Sequence, residues 1–121
     1  MSTVLWCTLQ NDPEDFYPDD LGCLFDQLDA LDELCIKAGF TPISEFVDES
    51  DLQFNMSEQD LDEEWLRENA RWFKPVDLLN SVEGLLNANL VKDPDLTEEL
   101  QTVRERCVLG RDAGTKVRLL I

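Results

Sequence analysis

DDLGCLFDQLDALDELCIKAG, residues 19–39, is the longest run in the chain whose apolar spacing leaves little choice of secondary structure. Leu21, Leu24, Phe25, Leu28, Leu31 and Cys35 follow the i, i+3, i+4, i+7 rule of one helix face, while Asp26, Asp29 and Glu33 stack on the other. Pro18-Asp19-Asp20 sets carboxylates beside the unpaired amides of a first turn, Glu33 and Lys37 stand in the favourable i,i+4 order, and Gly39 sits where a left-handed C-terminal residue is wanted. The spacing predicts one helix that lays an apolar stripe on a core and shows a ladder of carboxylates to water. Asp32 breaks the pattern, because at roughly 100° per residue it projects between Leu21 and Phe25, inside the stripe. It reads as a partly buried carboxylate, paired with Arg71 or another arginine, and a hydrogen-bonded core role is favoured over a catalytic one.

On the N-terminal side, Thr3 to Leu9 is apolar on both alternating faces and suits a strand within a sheet. Gln10 to Pro18 holds too many breakers to be anything but a loop. On the C-terminal side, Ile43 to Val47 and Leu52 to Met56 read as short extended segments about a turn at Asp48-Glu49-Ser50-Asp51. Ser57-Glu58-Gln59-Asp60 has the outline of a capping box. It introduces a helix to about residue 73, with Leu61, Trp65, Trp72 and Phe73 on one face. A second helix begins near Pro75 and runs to about Leu90, and Asp93-Pro94-Asp95 starts a third that Gly110 closes. After a turn at Arg111 to Gly114, KVRLLI at 116–121 is a strand. The expected fold is α/β or α+β: one domain over 1–121, with a small sheet holding both terminal strands under about four amphipathic helices. At this length a radius of gyration of about 14 Å follows.

The charge is the most unusual property. The 121 residues carry 27 acids and 10 bases, a net charge of −17, and no histidine. Residues 1–64 hold eighteen of the acids and a single base, Lys37; residues 65–121 hold nine of each. The whole excess therefore sits in the first half. Such a field repels nucleic acid and anionic membranes, and attracts cations or basic proteins at rates that fall with salt. Charge that serves solubility alone is the alternative. The start Met-Ser-Thr lacks a basic leader, and the run Val4 to Leu9 is too short to span a membrane, so a soluble, cytoplasmic, bacterial-type protein is expected.

Without histidine no Ser-His-Asp triad, Cys-His pair or His-ligated zinc can be built. Cys7, Cys23, Cys35 and Cys107 form no CxxC pair, and three of them fall in apolar patterns, as reduced structural thiols do. There is neither a P-loop nor a GxGxxG, and the loop after the first strand is acidic, which disfavours phosphate. Arg67, Arg71 and Lys74 interleave with Trp65, Trp72 and Phe73 as in a base-stacking surface, but helical spacing and net charge assign the aromatics to a core.

Two functions from different classes remain. One is a non-catalytic binding domain, of inhibitor or immunity type and needing no cofactor, that engages a basic protein. It would use Asp26, Asp29 and Glu33 on the helix together with Asp48, Glu49 and Asp51, steering the partner electrostatically and then burying apolar anchors. A homodimer or larger complex differs from this only in the partner. The other is a divalent-cation site or carboxylate-dependent hydrolase centred on residues 11–20, with Asp12, Glu14, Asp15, Asp19 and Asp20 as ligands.

Overall fold

The computed structural model describes residues 5–13, 15–48 and 62–121. A three-stranded mixed sheet is overlaid by helices, an α+β arrangement in which both terminal strands lie side by side. Strand β1 (Trp6–Leu9) pairs antiparallel with β3 (Val117–Leu120), Cys7 opposite Leu119 and Leu9 opposite Val117. The two-residue β2 (Val47–Asp48) adds in parallel on the other edge of β3, Val47 opposite Leu119 and Asp48 opposite Leu120. The central strand is the last in sequence, and its Val117, Leu119 and Leu120 are all buried, as a strand with neighbours on both sides requires.

Register divides the sheet's two faces. Cys7, Leu9, Val47, Val117 and Leu119 share the face packed under the helices and are all buried. Thr8, Arg118, Asp48 and Leu120 share the opposite face.

The stretch 19–39 folds as two helices, α1 (Gly22–Asp26) and α2 (Leu28–Ala38), where one was expected. The bend is at Gln27 (φ −108°, ψ 16°), whose side-chain amide donates to Asp93 Oδ2 at 3.1 Å. A tertiary hydrogen bond thus holds Gln27 just outside helical geometry. The expected cap is also corrected. Asp19 and Asp20 remain exposed before the helix, and the carboxylate at its N-terminus comes from Glu99, which accepts from the amides of Cys23 (3.2 Å) and Leu24 (3.1 Å). At the other end Gly39 takes the left-handed conformation (φ 84°) as its position implied.

Ile43 to Phe46 forms a 3-10 turn in place of the extended segment expected, with Val47 and Asp48 alone becoming strand. The segment Leu52 to Met56 and the capping box at 57–60 lie outside the described residues. Helix α3 spans Glu63–Asn69, with the Trp65 amide bonded to Asp62 Oδ1 (2.9 Å). It stops short of Trp72 and Phe73. Pro75 forces Lys74 into an extended conformation, and the amide and carbonyl of Phe73 both bond Val117, each at 2.9 Å.

Helix α4 (Pro75–Asn87) has proline in its first turn, as expected, and α5 (Pro94–Ala113) is capped by Asp93, which accepts from the Asp95 amide at 3.0 Å. Gly110 does not end α5. It is buried within it, because a Cβ there would stand 2.8 Å from Leu9 and 3.1 Å from Pro75; the helix closes on Gly114 (φ 68°) instead. Leu78, Val82 and Leu85 of α4 and Leu100, Val103 and Cys107 of α5 are wholly buried in the same core as Leu24 and Leu31.

Candidate functional site

The carboxylate ladder stands where the spacing placed it. Asp26 ends α1, Asp29 and Glu33 follow on α2, and all three are exposed. None forms an ion pair among the described residues. Arg106 and Arg118 are committed to Asp12 and Asp48, Arg104 to Glu83 and Arg111 to Asp112. The ladder therefore keeps its own negative field. Ile36, at i+3 from Glu33 and i+7 from Asp29, falls on the same face and is 66% exposed. An uncovered branched side chain at the end of a row of carboxylates was not singled out from the sequence. The signal was there, since Ile36 lies off the stripe formed by Leu24, Leu28, Leu31 and Cys35.

Several ties make this face rigid. Leu24, Leu31 and Cys35 are buried beneath it, Glu99 fixes the start of α1, and Gln27 is held to Asp93. Asp32 supplies another. It is half-buried, and its Oδ1 accepts from the Ser44 amide at 3.0 Å, fastening α2 to the 3-10 turn. Partial burial agrees with the projection, but the partner is a backbone amide, where an arginine was expected. Arg71 lies instead over the Phe73 ring, 5.2 Å from its centroid.

Asp48 is corrected as a partner-binding residue. It is 1% exposed, and its Oδ2 meets Arg118 Nη1 at 2.5 Å and the Arg71 amide at 3.2 Å. Trp72 covers the pair, with the Arg118 guanidinium 4.2 Å from its ring. The register explains the burial, because Asp48 and Arg118 project from the same face of adjacent strands. Glu49 and Asp51 lie outside the described residues.

The loop from Asn11 to Asp20 is organised by one ion pair. Asp12 Oδ2 accepts from the Leu9 amide (2.8 Å) and pairs with Arg106, whose guanidinium stacks on Phe16 at 4.2 Å. Asp12 thus turns inward while Asp15, Asp19 and Asp20 face solvent; Glu14 lies outside the described residues. No three acids or cysteines among the described residues form a group that could hold a metal ion.

All four cysteines are free thiols. Burial pushes the Cys7 thiol well above its ordinary range and Cys107 up to about 12, while a hydrogen bond to Glu99 raises Cys23 to about 11. Such groups are poor nucleophiles and poor metal ligands. No helix among the described residues is long and apolar enough to cross a membrane. Set against protein-family models, curated proteins and solved structures, the chain matches none.

Proposed function

We propose that this chain is a non-catalytic binding domain, of inhibitor or immunity type, that engages a basic protein through the outer face of α1 and α2. The observation that carries this reading is the alignment of Ile36 with Asp29 and Glu33 on one rigid helix face. Tyr17, Val76 and Leu109 are exposed as well, and single exposed apolar side chains are common on protein surfaces; what sets Ile36 apart is its place in line with Asp29 and Glu33, at the end of the row of carboxylates. A docking surface uses both: unpaired carboxylates steer and orient a basic partner, and the apolar side chain supplies area to be desolvated at contact. The expected kinetics are fast association that slows steeply with ionic strength, because a Debye length of about 8 Å at physiological salt screens the field beyond the first layer of charge.

The test is capture from native lysate of the source cells with the tagged protein, in low and in high salt, with identification by mass spectrometry. One basic protein retained at low salt and released at high salt is the expected result. A lysate that yields no basic protein at either salt concentration counts against the reading.

A further inference from the structure

A cleft of about 600 Å³ opens beyond the C-terminal end of α2, between the 3-10 turn and the first turns of α4. Its aromatic wall is Phe40 and Phe73. Phe40 is wedged against Gly84, where its ring occupies the space a Cβ would need, and Phe73 meets Phe46 edge to face at 5.4 Å. Both rings are therefore held in place. The rim carries Glu45 and Asp77, exposed carboxylates that form no ion pair among the described residues, and Arg71, whose exposed guanidinium rests over Phe73. Arg71 likewise has no carboxylate partner among the described residues.

We propose that this cleft receives an arginine side chain of the basic protein partner. The assignment rests on the binding function above only for the source of the arginine. Two carboxylates against one guanidinium leave the rim net negative, which selects a cation. Flat aromatic walls favour a planar cation that can lay its face on a ring while its N–H groups reach the carboxylates; guanidinium has such a face and a fork of donors that matches a carboxylate, whereas ammonium is a compact charge with no face to stack. The volume is that of an ordinary small-ligand site. Arg71 shows that a guanidinium sits on this wall, and because the residue is exposed and has no carboxylate partner among the described residues, its side chain can swing aside. It acts as an internal competitor for the same ring.

The test uses the intact protein and a small probe, so it needs no partner. Amide chemical shifts are followed while N-acetyl-arginine methylamide is added, with the citrulline analogue as a neutral isostere. Saturable shifts at Thr41, Phe73 and Asn80 with the arginine probe alone are expected. Glu45→Gln combined with Asp77→Asn should weaken binding roughly three- to tenfold, the range of two exposed ion pairs. Arg71→Ala should tighten it about two- to fivefold, an effect that a merely structural role for Arg71 would not give. Absent cleft shifts, or equal shifts from citrulline, overturn the proposal. Titration without capture of a basic protein would leave a guanidinium site and remove the partner; capture without titration would remove only the cleft assignment.

Discussion

Asp48 Oδ2 lies 2.5 Å from Arg118 Nη1, joining β2 to β3 across 70 residues of chain. Trp72 stacks on the guanidinium, and the Asp48 side chain is 1% exposed. Removing one member leaves the other charged and buried, so Asp48→Ala or Arg118→Met should each cost about 3 to 5 kcal/mol in urea denaturation. The double variant Asp48→Leu/Arg118→Met should recover much of that loss, since neither charge then remains to be desolvated. A single-variant loss below about 1 kcal/mol, the level of an exposed pair, would contradict this.

Asp93 couples stability to acid. Its carboxylate accepts from Gln27, Asp95 and Leu96, and the Gln27 hydrogen bond foremost holds its pKa below the ordinary 3.8. A pKa depressed by folding contributes stability that is present above the unfolded value and lost as pH falls through the folded one. Asp93→Ala should therefore melt a few degrees below the parent at neutral pH, with the gap narrowing as pH drops under 3.8. A gap that stays constant into acid would show that the carboxylate charge is immaterial.

Salt should stabilise the fold. Eighteen acids in residues 1–64 face one base there, and of the described ones only Asp12 and Asp48 are ion-paired. Raising NaCl from about 10 to 150 mM shortens the Debye length from roughly 30 to 8 Å and should relieve repulsion along the ladder. The melting temperature should climb over that interval. A flat or falling curve would mean the charges are already compensated.

The thiols should be inert in the native state. With Cys23 at about 11, roughly one molecule in a thousand carries its thiolate at pH 8, and Cys7, Cys35 and Cys107 are buried as well as raised. Iodoacetamide should label none of the four at pH 8 in the time it consumes free cysteine, and all four in urea. Rapid native labelling of any one would contradict the burial.

What was legible in the sequence was what neighbours along the chain decide. The apolar stripe, the caps at Pro75, Asp93 and Gly39, and the terminal strands all follow from local spacing. What was not legible came from partners far away in sequence. Glu99 caps a helix some 75 residues distant, Gln27 bends one helix into two because Asp93 holds it, and Gly110 stays helical because Leu9 and Pro75 need the room. Asp48 looked like one of a run of surface acids. Only the parallel pairing with β3 turns it beneath Trp72, and no periodicity within so short a strand could announce that.

The most direct measurement of the central claim is the low-salt capture repeated with two variants, Asp26→Asn/Asp29→Asn/Glu33→Gln and Ile36→Ser. All three carboxylates and Ile36 are exposed, so both variants should fold, with the first melting no lower than the parent. The account predicts that each loses the basic partner the parent retains. Retention of that partner by both variants at the parent's level would contradict it, and would leave the acidic face of α1 and α2 with no role beyond solubility.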